Sequence, residues 1–519
     1  MKLLYPLIIL LLSCSIEPED CAGVAGGSAY LDECGVCDTD STNDCNQSEN
    51  LIRINGFYCG MDDANKTILL PITSLNPVDM VAVVEYPDTY FTELKINSIS
   101  ISNGELFDFG GFSVGDTFNV ELGAWNGKSD YSLIFTTLST AIFFTNESIV
   151  DEPKISSKLY INDLVSNSTY NMYAGIEIRG GTSQTYPKVS YDIELWEDNS
   201  GSDSRKESLL GLRNDDDWIL DAMYIDLSLS RNLFGMKLWE NIGNAIHLVD
   251  EPDAKISQSG DFIELFVNNE YLGIYSMNEQ IDKKQLALKK NGGLLYKSEE
   301  WTDETKFSGI NQAPDETQEW AGYELKYPDE LDSINWLALT NLIDLIAYSD
   351  DEEFTLEISS HLDVDNAIDY YIFINLIQAE DNWGKNMYSF RYDEGYPISF
   401  APWDLDLTLG NKNSEWTIDS PDDLILSNSL FNRLFQLNVD NYRNKLKYKW
   451  NEILGNINLN DLYQYLESSN RLDLINSNAI VRNNQKWDMN VNLEGELESL
   501  KTWLDSRIIF FDNYIEQNY

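Results

Sequence analysis

The chemically most informative stretch of this sequence runs from Ile372 to Gly410. Asp381 and Asn386 follow an apolar run, and Asp404 and Asp406 follow two strand-like segments, MYSFRY and PISFA, that a glycine-containing turn separates. A β-hairpin brings the two ends of its strands together, so both acidic groups can meet at one site. Carboxylate and amide oxygens hold Mg²⁺, which neutralises charge on transferring phosphates. The stretch therefore predicts a metal–phosphate site.

The spacing within this stretch matches that of the catalytic loop of protein kinases. Asp381 and Asn386 stand at the Asp-x-x-x-x-Asn interval, in which the aspartate takes the acceptor's proton and the asparagine holds magnesium. Kinases bring a second metal-binding aspartate from the end of a following hairpin, where this chain has Asp404. The interval alone is weak evidence, because a chain with 87 acidic residues contains many such pairs by chance.

Composition narrows the choice of partners and metals. Lys and Arg number 35 against 87 Asp and Glu, so the net charge is −52 in 519 residues. We expect no nucleic-acid partner, because binding to a phosphate backbone needs a surplus of basic residues. His247 and His361 are the two histidines, too few for a histidine-rich zinc site. Any metal is therefore expected to have oxygen ligands, which indicates Mg, Mn or Ca.

The N-terminus predicts export. Residues 1–13 have the layout of a signal peptide, with Lys2 before an apolar run that is too short to span a bilayer. The ending Leu-Leu-Ser-Cys resembles a bacterial lipobox, which implies lipidation of Cys14 and an extracytoplasmic, membrane-anchored lipoprotein, periplasmic or at the cell surface. The alternative is an ordinary cleaved signal with a stray cysteine.

Residues 14–50 form a tether rich in Cys, Asp and Gly. In an exported chain we expect two disulfides within it, with three connectivities open, and a zinc site is the competing prediction. The four cysteines concerned are Cys21, Cys34, Cys37 and Cys45.

The rest of the chain divides into two regions. Residues 51–150 contain evenly spaced short apolar segments, which predict an Ig-like β-sandwich. Residues 151–519 place strands first and helices later, which predicts an α+β domain with two lobes. Two strand-like segments around the turn 268–270 predict a hairpin over 262–278, and a helix is predicted over 218–239. Apolar residues at helical spacing predict helices over 336–346 and 493–515. The acidic runs 215–217 and 350–353 are interpreted as solvated faces or helix starts.

Six blocks of this second region, in order, resemble the CotH family, the atypical kinases of the spore coat protein H type. The blocks are EIRGGTSQTYPKVSYDIEL (177–195), LLGLRNDDDWILDAMYIDLSLSRNLF (209–234), VNNEYLGIYSMNEQID (267–282), YELKYP (323–328), DNWGKN (381–386) and APWDLDLTLG (401–410). The resemblance implies an atypical protein-kinase-like fold, ATP with Mg or Mn, and transfer of phosphate to Ser or Thr hydroxyls of secreted or coat proteins. It implies that Asp381 is catalytic and that Asp404 and Asn386 bind the metal.

The resemblance also implies roles near the nucleotide. Lys188 would contact the α- and β-phosphates, the alternative being a solvated strand lysine. Arg179 would either touch phosphate or brace the glycine-rich turn that follows it. Glu279 and Gln280 fall where a hinge passes the adenine. Further candidates are Lys385 for the transferring phosphate, Asp406 for the metal or as a turn cap, and Asp226 as a partner of Lys188 or of a helix-surface salt bridge.

Two other functions are compatible with the sequence. A lipid-anchored surface protein could use a kinase-like fold for adhesion or as a scaffold, and the same fold could phosphorylate a small molecule or sugar. The acceptor and the oligomeric state are not encoded in the nucleotide-side motifs.

Overall fold

The computed structural model describes residues 20–21, 24, 27–31, 37–39, 51–74, 78–88, 90–124, 127–329, 334–411, 420–456, 459–466 and 469–519. The predicted signal peptide and Cys14 lie outside the described residues. Cys21 and Cys37 form a disulfide, which belongs to one of the three connectivities left open, whereas Cys34 and Cys45 lie outside. Among the helices described, none combines the length and the apolar character needed to cross a membrane.

The chain forms two compact units. The first lies within residues 1–70 and 76–135 together with 268–270, and the second within 71–75, 136–267 and 271–519. The predicted boundary at 150/151 therefore differs from the observed division between 135 and 136. The reason is that the strand Ser139–Phe144 pairs with strands of the second unit.

The described part of the first unit is built from short strands. They are β1 Tyr30–Leu31, β2 Cys37–Asp38, β3 Arg53–Ile54, β4 Phe57–Tyr58, β5 Gly60–Asp62, β6 Thr67–Pro71, β7 Val78–Glu85, β8 Phe91–Ile96, β9 Ile99–Ile101, β10 Glu105–Phe112, β11 Phe118–Ala124 and β12 Gly127–Thr136. A four-stranded sheet has the order β10-β7-β3-β4, and a six-stranded sheet has the order β5-β6-β12-β11-β8-β9. Phe109 of the first sheet contacts Phe118 of the second, with ring centroids 5.2 Å apart. The β-sandwich arrangement itself stays a prediction.

The second unit mixes strands and helices, as the α+β prediction requires. Its strands are β13 Ser139–Phe144, β14 Ile155–Asp163, β15 Ser168–Arg179, β16 Ser190–Trp196, β17 Glu207–Ser208, β18 Asn214–Asp215, β19 Asp217–Asp221, β20 Gly260–Val267, β21 Glu270–Asn278, β22 Leu294–Ser298, β23 Glu319–Trp320, β24 Tyr323–Tyr327, β25 Met387–Arg391 and β26 Ser399–Pro402. Its α-helices are α1 Arg231–Ile242, α2 Leu337–Tyr348, α3 Asp351–His361, α4 Val364–Leu376, α5 Ser429–Leu437, α6 Tyr442–Asn456, α7 Leu459–Leu466, α8 Ser469–Asn476, α9 Ala479–Trp487 and α10 Leu493–Asn518.

Seven strands of this unit close a barrel in the order β13-β14-β15-β16-β19-β21-β20. The barrel closes through a parallel pair of β13 and β20, and its other described pairs are antiparallel. Alternation explains its core, because Tyr191, Ile193 and Leu195 of β16 are buried at every second position. The predicted hairpin over 262–278 is confirmed as strands β20 and β21.

The helix predicted over 218–239 is wrong in its first half. Residues Asp217–Asp221 form strand β19, because β16 and β21 supply hydrogen-bond partners on both sides of this buried segment. The helix begins only at Arg231. Asp226 lies before it, accepts the Arg231 N–H at 2.7 Å and forms a buried ion pair with the Arg231 guanidinium at 2.6 Å.

A five-stranded sheet, β23-β24-β22-β25-β26, packs with the helices around a second hydrophobic core. The helices predicted over 336–346 and 493–515 are confirmed as α2 and α10. Apolar side chains such as Leu339, Leu500 and Phe511 fill this core, as their spacing indicated. The unit thus has two cores, one in the barrel and one among the helices, while its division into two lobes stays a prediction.

Candidate active site

The candidate site lies where the turn after helix α4 meets the end of the hairpin β25–β26. Asn382 holds these two segments together: its Nδ2 donates to the Asn386 carbonyl at 2.8 Å and to the Trp403 carbonyl at 2.7 Å. The Tyr370 hydroxyl of α4 donates to the Asn382 carbonyl at 2.8 Å. The hairpin predicted from the sequence therefore brings Asp381, Asn386 and Asp404 to one end of the sheet.

Asn386 and Asp404 contact each other in an uncommon backbone conformation. The Asn386 Nδ2 lies 3.4 Å from Asp404 Oδ2, and φ is +50° at Asn386 and +57° at Asp404. Asn and Asp adopt this left-handed region more readily than other side chains, which otherwise incur a cost of about 1–3 kcal/mol. Backbone geometry thus gives an additional reason for these residue types, independent of metal binding.

Asp404 has a raised pKa, although solvent reaches its side chain. Desolvation by the surrounding protein is the largest cause, and the charge of Asp381 adds to it. Lys297, Arg179 and Lys385 act in the opposite direction. A carboxylate that is walled by protein yet open to solvent on one side is suited to receive a cation from solution.

Asp406 is half-buried, and its pKa is raised well above the ordinary value. Desolvation is again the largest cause, followed by repulsion from Asp404, Asp221, Asp226 and Asp381. Without a metal ion, an ionised Asp406 is therefore unfavourable in the folded chain.

This repulsion predicts that Asp406→Asn stabilises the metal-free protein. A folded-state pKa above the unfolded value means that the folded state binds more protons, so stability falls as pH rises above the ordinary Asp pKa of 3.8. At pH 7.5 we expect Asp406→Asn to melt at a higher temperature than wild type, by about 2–4 °C for each kcal/mol of repulsion removed. This difference in melting temperature should vanish near pH 4. Calorimetry in EDTA measures both values. A lower melting temperature at pH 7.5 would favour the turn-cap role, and the exposed Asp253→Asn serves as the control.

Three cations surround the acidic group. Arg179 ends strand β15, and its guanidinium carbon lies 5.7 Å from the Trp403 ring centroid. The Lys385 Nζ lies 3.9 Å from Asp381 Oδ2. Lys297 is on β22, where it pairs in register with Tyr388 of β25, and its Nζ is 2.8 Å from Glu299 Oε1.

Sequence reasoning missed Lys297 and Asp221. Lys297 is the nearby cation with the largest effect on Asp404, but no motif distinguishes it, and only the pairing of β22 with β25 brings it to the site. Asp221 ends β19 and has a pKa raised by desolvation and by Asp404. Asp221 was missed because this residue was assigned to a helix over 218–239. The structure places Asp221 at the end of a strand, next to the site.

Other predicted site residues have different surroundings. Lys188 is 1% exposed; its Nζ donates to the Ile274 carbonyl and lies 3.3 Å from Asn483 Oδ1, and burial lowers its pKa to about 7. The solvated alternative for Lys188 is therefore wrong, and its role at phosphate stays a prediction. Asp226 pairs with Arg231, as described above.

Glu279 and Gln280 follow strand β21 in the connection to β22, and both are engaged with protein groups. Glu279 Oε1 accepts the Arg213 N–H at 2.9 Å, and the Gln280 Nε2 donates to Asp192 Oδ2 at 3.3 Å. Backbone contacts with an adenine, which the hinge prediction invokes, do not depend on these side chains.

The donor set of the candidate site fits a hard divalent cation. Asp404 and Asp406 supply carboxylate oxygens that repel each other, and Asn386 uses its nitrogen toward Asp404, which leaves its Oδ1 for a ligand. Such all-oxygen sets suit Mg²⁺ or Mn²⁺.

Asp215, Asp216 and Asp217 form a second acidic group. Within the described part of the chain, one carboxylate oxygen of each lies within 4.8 Å of the others. The Lys284 ammonium occupies its centre, at 2.6 Å from Asp215 and Asp216 and 3.2 Å from Asp217. Asp215 and Asp216 are buried, so the interpretation of this run as a solvated face is wrong. The run 350–353 does start a helix, with Asp350 capping α3.

Comparison with known proteins gives three findings. A family model described as CotH kinase protein matches residues 176–510, more than half of the chain. The inner spore coat protein H of Bacillus subtilis (strain 168) is 25% identical over 239 residues, which cover 45% of this chain and 58% of that relative's length. The crystal structure of a Helicobacter pylori proinflammatory kinase, CtkA, aligns with 63% of this chain and 94% of its own at 12% identity, with a TM-score of 0.24.

Proposed function

The chain belongs to the CotH kinase protein family, and on that premise we propose that it transfers the γ-phosphate of ATP to Ser or Thr hydroxyls of surface or secreted proteins. The observation that carries the proposal is the meeting of Asp381, Asn386 and Asp404. Asn386 contacts Asp404 at 3.4 Å, and the charge of Asp381 acts on Asp404. Asp381 and Asn386 stand at the kinase interval, and Asp404 follows the hairpin as the second metal-binding aspartate of kinases does.

Each residue of the site has a role in this proposal. Asp404, Asp406 and Asn386 hold Mg or Mn, which when bound neutralises charge on the β- and γ-phosphates. Asp381 orients the acceptor hydroxyl and takes its proton.

The cations around the site act on the nucleotide. Lys297, Arg179 and Lys385 face the carboxylates and attract the phosphate oxygens. The segment after β15 lies near the same carboxylates, because Asp406 and Asp404 contribute to the raised pKa of Tyr186, after the larger effect of desolvation. This segment includes Gly180 and Gly181 and is suited to cover the phosphates.

We further propose that the kinase acts outside the cytoplasm, anchored by lipidated Cys14. The support for this is the Leu-Leu-Ser-Cys ending of the apolar N-terminal run. An acceptor is then an exported or surface polypeptide that carries Ser or Thr.

Metal-dependent binding of ATP tests the proposal without knowledge of the acceptor. We expect ATP with Mg²⁺ or Mn²⁺ to raise the melting temperature of the purified protein, and ATP with EDTA to raise it much less, because phosphate charge would face unneutralised carboxylates. Calorimetric titration gives the dissociation constant. Equal effects of ATP with and without metal would contradict the proposal, and no effect of either would favour an adhesion or scaffold protein.

A further inference from the structure

Helix α1 contacts the segment Asp404–Asp406, which we call the metal loop. The Leu405 side chain packs where Gly235 of α1 leaves room, since a Cβ on that glycine would lie 2.7 Å from Leu405 Cδ1. Asn232 Oδ1 accepts the Leu405 N–H at 3.4 Å, and Asn232 Nδ2 donates to Asp221 Oδ2 at 3.3 Å. One amide side chain therefore joins barrel strand β19, helix α1 and the metal loop.

Other hydrogen bonds to backbone atoms of the metal loop come from nearby in the chain. Thr408 Oγ1 donates to the Leu405 carbonyl at 2.6 Å, and Asn411 Nδ2 donates to the Asp406 carbonyl at 2.8 Å. Asn232 differs because it reaches the loop from another element. Its contact fixes the loop relative to the barrel rather than relative to the loop's own neighbours.

The position of this contact matters for the metal ligands. The Leu405 N–H belongs to the peptide plane that follows Asp404, whose φ of +57° is in the left-handed region. A hydrogen bond to that plane sets ψ of Asp404 and so sets how the two aspartates of the loop are oriented relative to each other. Such outer contacts orient the groups that bind a metal.

We propose that Asn232, held by Asp221, is a positioning residue for the metal loop, an inference that rests on the proposed function of Asp404 and Asp406 as metal ligands. The amide is suited to this task because it donates at one end and accepts at the other. Asp221 in turn keeps its orientation through its Oδ1, which accepts the Met223 N–H at 3.0 Å.

This polarity gives a sharp test. Asp221→Asn places a donor against the Asn232 nitrogen, so the amide turns and the Leu405 N–H loses its acceptor. Asn232→Asp places two carboxylates against each other. In the exchange of Asp221→Asn with Asn232→Asp, the amide nitrogen at position 221 donates to the carboxylate at position 232, whose other oxygen accepts the Leu405 N–H. The net charge is unchanged.

We expect each single variant to weaken Mn²⁺ binding in the presence of ATP by about 10–100-fold, as loss of an outer contact does in metal sites. The exchange variant should recover most of that loss. Free Mn²⁺ is measured by electron paramagnetic resonance on the full chain. Hydrogen exchange of peptides covering 403–409, measured in EDTA by mass spectrometry, should be faster in the single variants and return toward wild type in the exchange variant. Asn241→Asp, on an exposed part of α1, is the matched control.

The outcomes separate the inference from the proposed function. Normal Mn²⁺ binding by both single variants, or no recovery in the exchange variant, overturns the inference. Unchanged hydrogen exchange at 403–409 in the single variants also overturns it. Failure of the wild type to bind Mn²⁺ with ATP overturns the proposed function. The hydrogen-exchange rates at 403–409 then still report whether Asn232 holds the loop.

Discussion

Asp404→Asn should abolish metal-dependent binding of ATP while the protein remains folded. The substitution removes the carboxylate charge that holds the ion, and asparagine tolerates the left-handed backbone, φ +57°, that this position requires. We expect affinity for Mn²⁺ with ATP to fall by about 100-fold or more, since even outer contacts of metal sites contribute 10–100-fold. Titration calorimetry measures the affinity, and circular dichroism gives the melting temperature.

The control for this variant is Asp253→Asn, which removes one carboxylate from an exposed position. It should bind Mn²⁺ with ATP as the wild type does. If Asp404→Asn bound Mn²⁺ with ATP as tightly as wild type, Asp404 would not be a metal ligand. A collapse of folding would instead assign Asp404 a structural role in the contact with Asn386.

Asp381→Asn should slow phosphoryl transfer while leaving the binding of metal and ATP intact. The variant keeps the metal ligands, so ATP with Mn²⁺ should bind with nearly wild-type affinity. The rate of phosphoryl transfer should fall by about 10²–10⁴-fold, the usual contribution of a positioned general base. Release of ADP, with water or protein as acceptor, measures the rate.

Substitution of the neighbouring Lys385 sharpens this test. Lys385 Nζ lies 3.9 Å from Asp381 Oδ2, so Lys385→Met removes the neighbouring cation without touching the base. If Asp381→Asn turned over ATP as fast as wild type while Lys385→Met did not, the catalytic role would pass from the aspartate to the lysine.

The sequence was sufficient where local patterns and tertiary burial agree. The hairpins β25–β26 and 262–278 were predicted correctly because a turn separates two short strand-like segments, both of which are buried. Helices α2 and α10 were predicted correctly because helical apolar spacing coincides with a buried face. The family match over residues 176–510 confirms the resemblance read from six blocks.

The sequence failed where long-range pairing decides the outcome. Residues Asp217–Asp221 were predicted as the start of a helix yet become a barrel strand, because β16 and β21 supply the hydrogen-bond partners on both sides. Lys297 and Asp221 reach the site only through such pairing. The burial of Lys188 also depends on distant segments, which supply the Ile274 carbonyl and Asn483, while its role at phosphate stays a prediction.

Phosphoryl transfer to protein hydroxyls is tested by transfer of label from ATP by the purified protein with Mg²⁺ or Mn²⁺. ATP labelled at the γ-phosphate is compared with ATP labelled at the α-phosphate, with a serine-rich protein as acceptor. We expect metal-dependent incorporation from the γ-label alone, as phosphoserine or phosphothreonine, and its loss in Asp381→Asn and Asp404→Asn. Incorporation from the α-label, or equal incorporation by the wild type and both variants, would contradict this expectation.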